Sequence, residues 1–191
     1  MPVMTLLTEL NAKIAECRQC PLCEERTNTV PGEGRADAEI MFIGEGPGAE
    51  EDQQGRPFVG RSGQLLTYML NQIGIERQQV FIGNTVKCRP PGNRTPLPAE
   101  MEACRPYLQA QMALIRPRLI VTLGAPALLS MCGEKYKLGE TVGREYILNG
   151  QLFFATWHPS YVLRTQKLKP DYLRHFMRIK QVADAGFRLG Q

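Results

Sequence analysis

Six cysteines and a few polar residues at the ends of apolar runs carry the chemistry this sequence can offer. Cys17 and Cys20, in the pattern Cys-x-x-Cys, supply two thiolates from one turn of chain. Cys88 stands in a proline-rich stretch, and Cys104 follows after fifteen intervening residues. Four thiolates can close around zinc or an iron–sulfur cluster. Spacing alone leaves a second reading open, in which Cys88 and Cys104 are buried thiols and the first pair is coincidence. Cys23 can replace Cys17 in such a set, whereas Cys132 ends an apolar segment and reads as core.

A second group gathers around glycine. In Gly44-Glu45-Gly46-Pro47-Gly48 the glycines let backbone approach a flat ligand closely. The phosphate-loop pattern is absent, and the acidic residues here would repel phosphate. Asn84 offers a donor and an acceptor on one amide, the pairing that reads the edge of an amide-like base. His158, between a strand and a proline, can donate from a neutral imidazole to a developing oxyanion. Phe58 can stack on a planar ligand. Each also has a plainer reading, as turn residue, surface histidine or loop anchor, and His175 is read only as a surface histidine. Residues 161–180 hold six cations (Arg164, Lys167, Lys169, Arg174, Arg178, Lys180) against Asp171, interleaved with Tyr161, Tyr172 and Phe176. Such a run can follow a nucleic-acid backbone or be a solvated helical face.

Positioning these residues requires a scaffold, and the pattern supplies one. Residues 39–44, 80–84, 119–124 and 152–156 are short apolar runs, the mark of strands buried on both faces. Helical periodicity occupies 5–16, then 62–73 between an N-cap at Ser62 and a stop at Gly74. Further helices are predicted from about 99, from 125 and from about 170, with Pro106 breaking or kinking the first of these. Residues 45–61 and 87–98 are expected to be loops. Residues 140–150 are expected to form a small hairpin turning at Asn149-Gly150. Strands alternating with helices predict a parallel sheet with helices on both faces. Open α/β sheets bind ligands beyond the carboxyl ends of their strands, where Gly44, Asn84 and His158 fall.

The 191 residues, 43% of them hydrophobic, suit one domain with its own core, spanning 1–191. No apolar run approaches the roughly 20 residues of a membrane helix, so no membrane partner is expected. The first residues lack the basic leader and apolar core of a signal peptide, and a cytoplasmic location is expected. Cysteines there serve as ligands or buried thiols rather than disulfides. A net charge of +4 is compatible with a polyanionic partner without requiring one.

Taken together, these pieces resemble the uracil-DNA glycosylase superfamily, and within it family 4, the iron–sulfur type. The match is carried by Cys17-x-x-Cys20, the Gly44-Glu45-Gly46-Pro47-Gly48 run, and Gly55-Arg56-Pro57-Phe58-Val59-Gly60. It continues in Asn84-Thr85-Val86-Lys87-Cys88-Arg89-Pro90-Pro91, Cys104, Leu123-Gly124 and His158-Pro159-Ser160-Tyr161. The resemblance implies a three-layer α/β/α fold with a central four-stranded parallel sheet. It also implies an N-terminal segment that binds a 4Fe–4S cluster through Cys17, Cys20, Cys88 and Cys104, with Cys23 outside the set. The implied enzyme flips uracil out of single- or double-stranded DNA, hydrolyses the N-glycosidic bond and leaves an abasic site for base excision repair. It would act as a monomer, with replication or repair proteins as further candidate partners.

The same resemblance assigns roles. Phe58 stacks on the flipped base and Asn84 reads its O4/N3 edge. Backbone from Gly44 through Gly46 lines the pocket, while Glu51 crowds the C5 side against thymine's methyl group. His158 hydrogen-bonds O2 as charge builds on the leaving base, and Leu163 and Arg164 probe the gap left in the duplex. Some related families place Asp or Asn where this chain has Gly46, so Glu45 is the expected water-orienting residue, with main-chain-organised water as the alternative. The stretch Arg89-Pro90-Pro91-Gly92-Asn93-Arg94 lacks the histidine with which a related branch traps DNA covalently. No lysine is expected in the site, which implies a monofunctional enzyme without lyase activity. Two rival readings are a non-catalytic iron–sulfur DNA-binding or polymerase-associated module on the same fold, and a zinc-stabilised nucleotide hydrolase. The missing phosphate loop weighs against the last.

Overall fold

A computed structural model describes residues 2–188. The expected domain, 1–191, extends past them, and residue 1 and residues 189–191 lie outside the described residues. Six strands form one sheet: β1 (Glu33–Gly34), β2 (Ile40–Gly44), β3 (Phe81–Asn84), β4 (Leu119–Leu123), β5 (Arg144–Leu148) and β6 (Gln151–Thr156). Among the helices are α1 (Val3–Ala15), α2 (Leu22–Glu25), α3 (Ala49–Gln54), α4 (Arg61–Gln72) and α5 (Pro98–Ile115). They are followed by α6 (Ala125–Cys132), α7 (Leu138–Thr141), α8 (Pro159–Arg164) and α9 (Lys169–Arg188). No helix among the described residues is long and apolar enough to cross a membrane.

The strand order is β1-β3-β2-β4-β6-β5. Strands β3, β2, β4 and β6 are parallel to one another, and β1 and β5 run antiparallel at the two edges. The four expected strands are thus the centre of a larger mixed sheet. Successive strand residues point to opposite faces, so Ile40 and Phe42 enter one core and Met41 and Ile43 the other. The first core packs under α4, α8 and α9, and the second under α1, α5 and α6. Burying a phenylalanine such as Phe42 contributes about 1.5–3 kcal/mol, and the layers hold by many such contacts. Three layers result, α/β/α.

Several local expectations need correction. Residues 45–61 are not all loop: α3 lies within them, carrying Glu50, Glu51 and Asp52 in its first turn and closed by left-handed Gly55 (φ 65°). Acidic residues at a helix start complement its dipole, a signal hidden by the surrounding glycines. The N-cap of α4 is Gly60, not Ser62. Helix α5 runs through Pro106 for 18 residues. The proline removes only the N–H facing Glu102's carbonyl, and both residues are exposed, where water can serve that carbonyl. The hairpin exists, but its second arm is the fourth apolar strand itself. Asn149 (φ 51°) and Gly150 (φ 79°) turn β5 into β6, while residues 138–141 form a helical turn.

Candidate active site

Register sets Gly44 beside Asn84 at the carboxyl ends of β2 and β3. His158 caps α8 two residues beyond the end of β6. Together with the turn before α4 these ends enclose a cleft of about 320 Å³, lined by Glu45, Gly46, Glu51, Phe58, Asn84 and His158. Arg164 also reaches it, whereas Leu163 packs partly buried against the core beneath α8. Gly44 makes the approach possible. A Cβ there would stand 2.5 Å from Phe58 Cζ and 2.6 Å from Asn84 Oδ1. A larger cavity, about 460 Å³, opens at the other edge of the sheet beside Ile40 and Val80 and holds none of these groups.

Asn84 is buried, and its Oδ1 has no hydrogen-bond partner among the described residues. Such an orphaned acceptor costs about 1–3 kcal/mol, so this atom is set for a donor that arrives with a ligand. Its neighbour Thr85 ties down the glycine loop, donating from N to Gly44 O (3.0 Å) and from Oγ1 to Glu45 O (2.6 Å).

His158 presents a defined tautomer. Its Nδ1 accepts from Ser160 N (3.2 Å) and lies 2.7 Å from Ser160 Oγ, which leaves the ring proton on Nε2. Burial, and then the charge of Arg164, pushes its pKa down to about 4 against a smaller opposing pull from Glu51. At neutral pH the ring is an uncharged donor. Its centroid lies 5.7 Å from that of Phe58.

Glu51 does more than face the cleft. Its Oε1 accepts from Val59 N and Gly60 N (both 2.9 Å), and its Oε2 accepts from Gly48 N (3.1 Å). One carboxylate therefore ties the glycine loop to the turn that carries Phe58. Phe58 itself is left-handed (φ 49°), a strained conformation for a bulky residue that costs about 1–3 kcal/mol.

The cysteines meet elsewhere. Cys17, Cys20, Cys23, Cys88 and Cys104 line one small cavity with Arg26, Lys87 and Tyr107. Arg26 Nη1 donates to Cys88 Sγ (3.0 Å) and Lys87 N to Cys104 Sγ (3.3 Å). Tyr107 stands with Cys17 in the same lining. Burial pushes the thiols of Cys20 and Cys88 up and that of Cys104 to about 11. Thiols in such surroundings stay protonated unless a metal's charge ionises them. Among the described residues no three ligating side chains converge as on a single ion; the thiols surround a space instead. An all-sulfur donor set with N–H groups aimed at two of the sulfurs fits a thiolate-bound metal, zinc or an iron–sulfur cluster.

Sequence reasoning missed the group between the two sites. Lys87 does sit in one of the matched motifs, Asn84-Thr85-Val86-Lys87-Cys88, although it does not line the cleft. It is fully buried, and its Nζ donates to Asn84 O (2.9 Å) and Gln111 Oε1 (2.7 Å). Gln111 Nε2 in turn donates to Pro31 O (2.7 Å). Burial lowers the Lys87 pKa to about 8, but the residue lines the cysteine cavity and not the cleft. The signal available was a cation one residue before a candidate ligand. Arg94 was also missed. It lines the cleft and is held by two hydrogen bonds to buried Glu100 (2.8 and 2.6 Å).

The basic stretch divides differently from its sequence. Tyr172 and Phe176 are fully buried in the core. Arg174, Arg178 and Lys180 pair with Asp171, Glu145 and Asp184. His175 is not a surface residue: it packs on Trp157 (4.7 Å between centroids), and its Nδ1 lies 2.8 Å from Thr156 Oγ1.

This fold and cleft have relatives. The family model described as Uracil DNA glycosylase superfamily matches residues 31–179. The type-4 uracil-DNA glycosylase of Thermotoga maritima is 48% identical over 163 residues, 84% of this chain and 85% of that protein. The type-4 uracil-DNA glycosylase of Sulfurisphaera tokodaii is 43% identical over 94% of this chain and 86% of its own length. That of Pyrobaculum aerophilum is 47% identical over 87% and 89%. The chain belongs to the uracil DNA glycosylase superfamily and, within it, to the type-4 family.

Proposed function

We propose that this protein is a monofunctional uracil-DNA glycosylase, a hydrolase that removes uracil from DNA and leaves an abasic site. One observation carries the reading: a buried, unsatisfied Asn84 amide oxygen, a neutral His158 and the Phe58 ring share one cleft. A pyrimidine base fits those three groups as N–H donor, anion-forming carbonyl and flat face.

The base must leave its stack to enter, at a cost of a few kcal/mol. Phe58 stacks on the flipped ring, and Asn84 Oδ1 accepts from N3–H, removing its desolvation cost. As the N-glycosidic bond lengthens, negative charge spreads onto uracil O2 and positive charge onto the sugar. His158 donates from Nε2 to that oxygen. Because its imidazole is neutral, the bond strengthens as the charge grows and no proton need be lost first. One such donor is worth about 10²–10³ in rate. Glu45, lining the cleft one residue past β2, orients the water that captures the sugar cation. Glu51 shapes the C5 side through the wall it braces, where thymine's methyl group would have to fit. Leu163 and Arg164, at the end of α8, meet the DNA around the vacated position. Lys87 is held by Asn84 O and Gln111, outside the cleft, so a Schiff-base step is not part of this chemistry.

Cys17, Cys20, Cys88 and Cys104 would hold the 4Fe–4S cluster, with Cys23 beside them. These residues would join the turn after α1, the loop after β3 and α5 through the bound group, apart from the cleft where the bond breaks. The decisive experiment is incubation with uracil-containing single- and double-stranded DNA, then alkaline cleavage, with thymine-containing DNA as control. Strand breaks at uracil alone are expected. Uncut uracil DNA in both forms rejects the proposal and favours a non-catalytic binding module.

A further inference from the structure

Phe58 has to hold a conformation that its own backbone disfavours, and the structure shows what holds it. Arg77, in the turn that precedes β3, donates from Nη1 to Phe58 O (3.0 Å) and from Nη2 to Pro57 O (2.5 Å). Nη1 also donates to Thr67 Oγ1 on α4 (3.1 Å). The guanidinium is itself aimed by Glu33, whose Oε1 accepts from Arg77 Nε (3.0 Å) and Nη2 (2.8 Å). Glu33 also accepts from Arg56 Nε (2.8 Å). Its carboxyl group stays ionised, held below the usual carboxylate range by Arg56 and Arg77 against the effect of burial.

The far side of the same carbonyl is occupied by α4. A Cβ on Gly63 would lie 1.7 Å from Phe58 O. The Phe58 carbonyl is thus gripped between a guanidinium and a glycine, while Glu51 holds the two following N–H groups. Arg77 does not line the cleft. A planar fork with five donors in fixed directions can serve two adjacent carbonyls, a hydroxyl and a carboxylate at once, which the three donors of a lysine cannot do.

We infer that Arg77, aimed by Glu33, is a positioning residue for base excision: it locks the Pro57–Phe58 turn so that the Phe58 ring covers the flipped base. This rests on the reading of Phe58 as the stacking residue. Misplacing a reactant by about 1 Å can cost about 10²-fold, so the effect should fall on the chemical step.

The test is a double-mutant cycle read by single-turnover excision from uracil-containing DNA, with folding followed by thermal melting. Four proteins are compared: wild type, Arg77→Met, Phe58→Ala and the double variant. Arg77→Met should slow the step about 10- to 100-fold. The double variant should be no slower than Phe58→Ala alone, because Arg77 has nothing left to position. A purely structural arginine would instead multiply the two losses. Multiplicative losses, or a wild-type rate in Arg77→Met beside a slow Phe58→Ala, overturn the inference. A wild-type rate in Phe58→Ala rejects the stacking role first, and the inference falls with it. If Arg77→Met does not fold, Glu33→Gln takes its place in the same cycle with the same two outcomes.

Discussion

The cleft at the strand ends and the cysteine cavity lie on either side of one short segment, Asn84-Thr85-Val86-Lys87-Cys88, yet they treat polar atoms in opposite ways. In the cleft the Asn84 acceptor is left without a partner. In the cavity two of the sulfurs receive N–H groups from Arg26 and Lys87. Incomplete satisfaction marks a place that a ligand enters and leaves, whereas a supported donor set marks one meant to stay filled. Lys87 stands between them, its main-chain N–H toward Cys104 and its ammonium on the Asn84 carbonyl.

That contrast can be broken experimentally, beginning where the effect is largest. Cys88→Ala should lose the visible absorbance of an iron–sulfur cluster and most of the soluble protein. A colourless variant that folds and cuts uracil DNA normally would show that the cavity is no clasp. Next, His158→Ala and Asn84→Ala should each slow single-turnover excision by about 10²–10³ while keeping the absorbance and a cooperative melt. An unimpaired His158→Ala enzyme removes the account of leaving-group stabilisation. Lys87→Met, between the two regions, should cost about 1–3 kcal/mol by stripping Asn84 O and Gln111 of their donor. That corresponds to a few degrees in Tm for a chain of this size. An unchanged Tm would mean that the two regions are not joined through this residue.

A further effect concerns pH. Burial, the larger influence in both cases, holds the pKa values of His158 and His175 near 4 in the folded chain, against about 6.5 unfolded. Between those values the unfolded chain binds more protons, so stability should fall as pH drops from about 6.5 toward 4. Below about 4 these two groups add no further loss. His158→Gln should flatten part of that slope in urea midpoints taken across the window. An unchanged slope would mean that His158 is not held neutral by burial.

The four central strands were legible because buried parallel strands are short, apolar and bounded by turn residues. The cleft followed from them, since the fold sends strand ends to one edge. What escaped detection depends on tertiary supports. The two-residue β1 has no periodicity to detect, and α3 is masked by flanking glycines. Pro106 looked like a helix breaker because its exposed position cannot be seen in a sequence. Lys87 and Arg77 read as ordinary cations because their partners, Gln111, Glu33 and the Phe58 carbonyl, are distant in the chain. The cysteine set was undecided by spacing for the same reason: two of its members come from elements far apart.

Gly44 illustrates a different kind of dependence. It contributes no functional group, and removing side chains one at a time would pass over it. The steric overlap of a methyl group with Phe58 and Asn84 means that an addition damages the cleft as a deletion does. Gly44→Ala should disable excision while leaving every chemical actor present, because the binding site is partly made of space that no atom may occupy.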